Sequence, residues 1–161
     1  MARNVLILAP SSGAVKRAAE LAARNGGEIG LVLTSIDLLR EKVSGGRIEE
    51  ERDYAGVTAS TLDEPVFIGS AIAQLAGHCE VVIVDGLERW IERVVQRFPD
   101  DPIERDAEVL SLLSVMQARM ADLLLIARPS LPLEASCREL LTRALDAARK
   151  HADEVIEGAP A

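Results

Sequence analysis

Small polar residues follow the first apolar segment of the chain, in a stretch that could bind phosphate. Residues 5–22 read VLILAPSSGAVKRAAELA, in which an apolar run leads into Ser11, Ser12 and Gly13 and then a helical pattern carrying Lys16. A strand, a glycine-containing turn and a helix cradle phosphates when backbone N–H groups, a lysine and a hydroxyl meet at the turn. These four residues are therefore the candidate nucleotide-binding residues.

The same turn lacks most of what a working phosphate loop of the form G-x-x-x-x-G-K-[ST] needs. In an ungapped comparison Val15 stands where the lysine belongs, and Lys16 falls at the hydroxyl position. Pro10 has no backbone N–H to donate to a phosphate. We therefore predict a remnant of a nucleotide site, and a one-residue gap that returns Lys16 to the phosphates is the alternative.

An acidic residue at a strand end is the second candidate for chemistry. Asp85 follows the apolar run 81–84, and phosphate-loop enzymes keep a Mg²⁺-organising acid at such a position. The other interpretation is a polar strand-end residue, which we favour because the rest of a metal site is missing. Cys79 and Cys137 lack metal-ligand spacing. We expect no metal site, even though His78 precedes Cys79.

Short aliphatic runs predict the strands of a sheet that is buried on both faces. The four clearest runs are residues 4–9, 28–35, 80–86 and 122–129. Two further strands are possible at residues 57–61 and 154–158.

Helical periodicity fills the intervals between these runs. The predicted helices cover residues 14–24, 65–77, 87–97, 103–120 and 134–151. Alternating strands and helices predict an α/β fold with a mainly parallel sheet. We expect one doubly wound domain over residues 1–161, with helices on both faces of the sheet.

The least regular part of the chain is a charged insert at residues 37–56, which mixes dense charge with a Gly-Gly break. A functional flap and a solvated helix with a surface turn both fit this composition, and the helix is favoured. We expect the insert to project from the sheet.

Arginines and the single tryptophan are the candidates for an interface. The set comprises Arg47, Arg52, Arg89, Trp90 and Arg93. Tryptophan is a frequent interface anchor, and arginines on either side of it could form a polar rim. The arginines could equally be solvated charges, and Trp90 could fill its own core.

Composition limits the partners and the compartment. The net charge is −8, which disfavours nucleic acid and an anionic membrane surface. No apolar run approaches the ~18 residues of a membrane span. The first apolar run is better explained as a buried strand than as a signal peptide. Two cysteines without a disulfide pattern fit a reducing cytoplasm.

Motifs along nearly the whole chain resemble the bifunctional adenosylcobinamide kinase/adenosylcobinamide-phosphate guanylyltransferase family of cobalamin biosynthesis. The family order strand–GGARSGKS–RxAE is matched here by APSSGAVK and RAAE. Further along, RIEEERDYAG, STLDEP, VIVDGLERW and KHADEVIEGAP stand in the order of the family's remaining motifs. The resemblance implies a phosphate-loop NTPase-like fold and assembly into an oligomer.

The sequence departs from the family pattern at the residues that carry out the family's reactions. Family members attach GMP to a histidine, and Glu51 stands at that position here. The family's T-N-E-V-G loop is replaced by ARPSLPLEAS. We therefore expect a catalytically degenerate protein that acts as a binding or assembly module and uses no cofactor.

Two alternatives remain. One is an active kinase or nucleotidyltransferase of cobalamin biosynthesis that uses GTP or ATP with Mg²⁺. The other is a small nucleotide-sensing α/β domain that resembles a universal stress protein, although nothing after residue 120 supplies that family's late Gly-x-x-Gly motif. In the favoured interpretation the partner is a second copy of the chain or another protein, and the compartment is the cytoplasm.

Overall fold

A single seven-stranded sheet organises the chain. The computed structural model describes residues 2–8, 13–24, 26–34 and 49–157, and for residues 13–15 it describes the backbone alone. The strands are β1 (Asn4–Leu8), β2 (Ile29–Leu33), β3 (Glu49–Tyr54), β4 (Val57–Asp63), β5 (Val81–Asp85), β6 (Asp122–Ala127) and β7 (Glu154–Glu157). The helices in the described ranges are α1 (Gly13–Ala23), α2 (Ile68–Ala76), α3 (Leu87–Arg97), α4 (Pro102–Ala118) and α5 (Ala135–His151).

The sheet is parallel except at one edge. Its order is β3-β4-β2-β5-β6-β1-β7, and only the β3–β4 pair is antiparallel. Helix α1 packs Ala18 and Ala22 into the core on one face, while α2 to α5 cover the other face. The predicted α/β class and mainly parallel sheet are confirmed, and both faces carry helices as in a doubly wound fold. None of the helices described here combines the length and apolarity needed to span a bilayer.

The strands at the centre are those that the aliphatic runs predicted. In β5 the side chains of Val82 and Val84 enter one core and those of Val81 and Ile83 enter the other. A strand that is buried on both faces cannot alternate apolar with polar residues. This is why continuous apolar runs located β1, β2, β5 and β6 within two residues at either end.

The prediction for the charged insert is wrong over residues 49–54, and residues 37–48 lie outside the described part. Residues 49–54 form β3, an edge strand paired with β4, rather than a helix projecting from the sheet. The turn between the two strands is Ala55-Gly56, with φ angles of 49° and 90°. Two positive φ values match the tight turn that suits the twist of a hairpin. The charge of β3 fits its edge position, where charged side chains discourage pairing with another chain.

Candidate functional site

The carboxyl end of β5 carries a cluster of polar side chains centred on Asp85. Arg128 follows β6 and its Nη1 donates to Asp85 Oδ1 at 3.0 Å. Tyr54 closes β3 and its hydroxyl donates to Asp85 Oδ2 at 3.1 Å. Each carboxylate oxygen of Asp85 therefore already accepts a hydrogen bond, and one of the two donors is a cation.

Arg128 is held from two sides. Its backbone N–H donates to Oε1 of Glu88 at 2.8 Å, and the Glu88 side chain in the first turn of α3 is buried. Burial alone would lower the pKa of Arg128, but the hydrogen bond and charge of Asp85 outweigh it and raise that pKa. The guanidinium is thus a permanent positive charge at this strand end, with two carboxylates to balance it.

Tyr54 contributes a hydroxyl that keeps its proton. Burial raises the pKa of Tyr54 well above its ordinary value, and the neighbouring Asp85 carboxylate raises it further. A neutral phenol donates rather than accepts toward a carboxylate. The pair therefore adds a second donor to Asp85 without adding charge.

The backbone after Asp85 is fixed by a left-handed glycine. Gly86 has φ 98° and starts α3. The Thr34 hydroxyl lies against the carbonyl oxygens of Asp85 and Gly86, at 3.0 and 2.7 Å. A Cβ at residue 86 would come within 2.7 Å of Thr34 Oγ1. Both the conformation and the lack of space require glycine, and together they aim Asp85 at Arg128.

This cluster is suited to holding an ion pair rather than a divalent cation. A carboxylate that binds Mg²⁺ must present an oxygen to the metal. Here a metal ion at Asp85 would have to displace a guanidinium, which would then be left beside it as an uncompensated like charge. The cluster does place a cation, a phenol and two carboxylates where the strands end, at the edge of the sheet where open α/β folds bind ligands.

Two of the four candidate nucleotide-binding residues in the first turn lie in the described part of the chain, both in α1. Ser11 and Ser12 fall outside the described residues, Gly13 is the first residue of α1, and Lys16 is exposed on that helix. Asp85 is two strands away from β1 in the sheet order. No contact among the described side chains joins Lys16 to Asp85.

Glu51, at the position of the family's nucleophile, lies elsewhere. It is an exposed side chain of β3 and lines an open cleft of about 520 Å³ that also contains Glu28 and Glu80. Those two residues precede β2 and β5, whereas Asp85 ends β5. The structure therefore does not bring Glu51 and Asp85 into one site.

Three interface candidates have local partners. Arg52 forms a two-pronged ion pair with Asp63, at 3.0 and 2.6 Å. Arg89 pairs with Glu92, and Arg93 donates to Gln96. Arg47 falls outside the described residues. The charges of Arg52 and Arg89 are therefore balanced by carboxylates within one strand pair and one helix, whereas the partner of Arg93 is a neutral amide that does not balance its charge.

The structure corrects the prediction made for Trp90. The side chain is fully buried, and its Nε1–H donates to the Val66 carbonyl at 2.7 Å. It lies on the apolar stripe of α3 with Leu87, Ile91 and Val94, which faces the sheet. Because the ring has no exposed surface, Trp90 fills the core of its own chain and the prediction that it anchors an interface is wrong.

A second polar cluster lies at the opposite ends of the strands, before β2 and β5. Ligand atoms of Glu28, His78 and Cys79 all lie within 4.8 Å of one another, and His78 also contacts Glu49. The hydrogen bond that His78 Nε2 makes to the Glu49 carboxylate raises the pKa of His78. Burial, together with the charges of Glu28 and Glu49, raises the pKa of Cys79 to about 11. These are the described residues best placed to hold a metal ion.

Sequence reasoning missed Arg128, Tyr54 and Glu88. The two partners of Asp85 are 31 and 43 positions from it in the chain, so no local motif joins them. The one available signal was an arginine near the end of a predicted strand, residues 122–129. Searches with protein-family models and against curated proteins found no match to the chain.

Proposed function

We propose that the chain is a catalytically degenerate relative of the adenosylcobinamide kinase/guanylyltransferase family that acts as a binding or assembly module. The observation that carries this proposal is the ion pair between Asp85 and Arg128, completed by Tyr54. In the proposed ancestry Asp85 is the acid that would organise Mg²⁺, and its oxygens are committed to protein donors.

The electrostatics at Asp85 support the loss of magnesium binding. The side chains of Asp85 and Arg128 are 17% and 20% exposed, so water screens the pair only partly. A hydrogen bond to a charged group contributes roughly 1.5–3 kcal/mol. A magnesium ion would have to overcome that contribution and the repulsion of the Arg128 guanidinium, which donates to Asp85 from a backbone that Glu88 anchors through the Arg128 N–H.

The sequence of the phosphate loop supports the same conclusion independently. Pro10 offers no backbone donor, and Val15 carries no charge to a phosphate. Each charge-assisted phosphate contact that is lost removes about 1.5–3 kcal/mol, and losing two of them weakens binding by a factor on the order of 100 or more. We expect affinities for GTP and ATP weaker than about 1 mM.

Titration calorimetry with GTP and ATP, with and without Mg²⁺, tests this proposal. The expected result is no saturable heat. Lys16→Ala is the informative variant, and Lys150→Ala, an exposed lysine at the end of α5, is its matched control. Micromolar binding that is lost in Lys16→Ala and kept in Lys150→Ala would contradict the proposal, because it would mean that the loop still binds phosphate.

Exposed apolar side chains on α4 support the assembly part of the proposal. Ile103 and Leu110 are 79% and 63% exposed. They are seven residues apart, which places them on one face of the helix. We propose a homo-oligomer in which this face of α4 packs against a second copy. The edge strand β3 is a poorer surface for self-pairing, since it is rich in charged side chains, Glu49 and Glu50 among them, which discourage pairing with another chain.

A further inference from the structure

A thiol, an imidazole and a carboxylate converge where α2 leads into β5. His78 Nδ1 lies 3.4 Å from Cys79 Sγ and 3.5 Å from Glu28 Oε2. The three ligand atoms all lie within 4.8 Å of one another. Glu28 directly precedes β2, so two neighbouring strands of the sheet supply the set.

These separations match the edges of a tetrahedral zinc site. Zinc binds sulfur at about 2.3 Å and nitrogen or oxygen at about 2.0–2.2 Å, so two ligands at a tetrahedral angle stand roughly 3.4–3.6 Å apart. Both distances from His78 Nδ1 fall at that separation. The Glu28 side chain is 72% exposed, so a rotation of its carboxylate can bring an oxygen to the same distance from Sγ.

Glu49 orients the imidazole for this purpose. Its Oε1 lies 3.0 Å from His78 Nε2. A carboxylate on one ring nitrogen keeps the proton there and leaves the other nitrogen with a free lone pair. Metal-binding histidines usually have such a partner, which also makes the imidazole a stronger ligand. The nitrogen that faces Cys79 and Glu28 is Nδ1, and in the tautomer with the proton on Nε2 its lone pair is available to a metal ion.

The thiol is positioned by packing. The backbone N–H of Cys79 donates to the Leu75 carbonyl at 2.8 Å, which continues the end of α2. A Cβ at Gly30 would come within 3.2 Å of Cys79 Sγ and 3.0 Å of Leu75 Cβ, so a glycine in β2 leaves the space that the sulfur occupies. The Cys79 residue is 4% exposed, and its sulfur lies beside Nδ1 of the partly exposed His78.

We propose that Cys79 Sγ, His78 Nδ1 and the Glu28 carboxylate bind a divalent cation of the zinc class, with water as the fourth ligand. Thiolate and imidazole together favour zinc over magnesium or calcium. The sulfur–metal bond forms as the thiol proton leaves to solvent, and no electron is transferred. The cation also relieves the repulsion between Glu28 and Glu49, and it links β2 and the α2–β5 turn to the β3 hairpin.

Cobalt spectroscopy on the full chain, after removal of metal with a chelator, tests the proposal. Cobalt(II) replaces zinc in such sites, and a thiolate ligand adds a charge-transfer band in the near ultraviolet. We expect the band in the unmodified protein and in Cys137→Ser, the matched control at the other buried cysteine. It should be absent in Cys79→Ser and be displaced by zinc. Glu49→Gln should weaken cobalt binding about 10- to 100-fold.

Three outcomes would overturn the proposal: no band in the unmodified protein, a band that survives in Cys79→Ser, or a band that disappears in Cys137→Ser. If Cys79→Ser does not fold, cobalt binding is measured instead in His78→Gln and Glu28→Gln. These two variants change exposed side chains and leave the core intact. Binding that is unchanged in both would reject the site. Nucleotide binding at the other end of the strands is not involved, so this result is independent of the proposed function.

Discussion

What a carboxylate can bind depends on the hydrogen bonds that its oxygens already accept, and Asp85 is an example. From its type and position, this acidic residue after a buried strand could be a magnesium ligand or a polar strand-end residue, and the sequence favours the second. The contacts with Arg128 and Tyr54 occupy both of its carboxylate oxygens. These contacts join residues that are far apart in the chain, so the sequence predicted the acid and not its partners.

Replacing Arg128 tests whether the ion pair stabilises the fold. We expect Arg128→Ala to lower the free energy of unfolding by about 1.5–3 kcal/mol, because the half-buried Asp85 carboxylate loses a charged donor. Asp85→Asn in the same chain should recover part of the loss. Urea denaturation of the two single variants and the double variant measures the coupling. If the effects of the two single variants were strictly additive in the double variant, the ion pair would contribute nothing to stability. Arg93→Ala is the control, and its free energy of unfolding should stay within about 0.5 kcal/mol of the unmodified protein.

The backbone at Gly86 provides a second test at this scale. Gly86→Ala should destabilise the chain by about 1–3 kcal/mol because alanine must adopt the left-handed conformation of this residue. The close contact of the added Cβ with Thr34 should destabilise it further. Gly56→Ala is the matched control, because Gly56 has φ 90° but no atom within 4 Å of an added Cβ. Equal losses of thermal stability in the two variants would show that Thr34 does not crowd residue 86.

At the scale of elements, burial decides how much the sequence could predict. The central strands are buried on both faces, so their apolar runs identified them. Strand β3 reads EEERDY, which has neither an apolar run nor alternation. Its conformation depends on pairing with β4 and on the Arg52–Asp63 ion pair. These are contacts across a hairpin, which local periodicity does not report.

A network at the amino end of β1 joins this strand to the ends of two helices, α4 and α5. The side-chain amide of Asn4 donates to the Met116 carbonyl in α4 and the His151 carbonyl in α5, at 2.9 and 3.2 Å. Asp153 accepts from the Asn4 backbone N–H and pairs with Arg119 just after α4. The Asp153 carboxylate therefore links the first strand to the residue that follows α4, beside the Asn4 amide that bonds both helices.

This network predicts how stability changes in acid. The hydrogen bond from Arg119, with one from Asn4, lowers the pKa of Asp153 from 3.8 to about 2. A depressed folded-state pKa means that the ionised carboxylate stabilises the fold above pH 3.8, and that this contribution is lost as the pH falls toward 2. Asp153→Asn should lower the melting temperature at neutral pH and flatten its dependence across that window.

Thermal denaturation at a series of pH values measures the effect, with Asp100→Asn as a control in the exposed loop between α3 and α4. The Asp100 variant should follow the unmodified protein at every pH. If Asp153→Asn kept the full acid dependence between pH 3.8 and 2, the carboxylate would not be its source.

At the scale of the whole molecule, the described part of the chain places two polar clusters at opposite ends of β2 and β5 and an exposed apolar face on α4. The ion pair at Asp85 supports a scaffold that does not use magnesium. The cluster at Glu28, His78 and Cys79 offers a separate site for a softer cation. Assembly would then depend on α4, not on the helix that carries Trp90.

Adding a charge to the exposed face of α4 tests whether this face forms the contact between two copies of the chain. If Leu110 lies in a contact between two copies, Leu110→Glu should shift an oligomer toward a monomer of 17.3 kDa. Burying an unpaired carboxylate in an apolar contact is strongly unfavourable. Light scattering coupled to size-exclusion chromatography measures the mass, and Thr142→Glu on the exposed side of α5 is the control. A monomer in the unmodified protein across micromolar concentrations would reject assembly.

The most direct test of the central claim asks whether a divalent cation with a nucleotide reaches Asp85. Manganese(II) substitutes for magnesium and broadens the NMR signals of nearby nuclei. With manganese and GTP added, we predict no selective broadening of the backbone amides of Gly86 and Arg128, which flank the carboxylate. Selective broadening of these amides that disappears in Asp85→Asn would contradict the account, because it would show that Asp85 still holds the metal of a working nucleotide site.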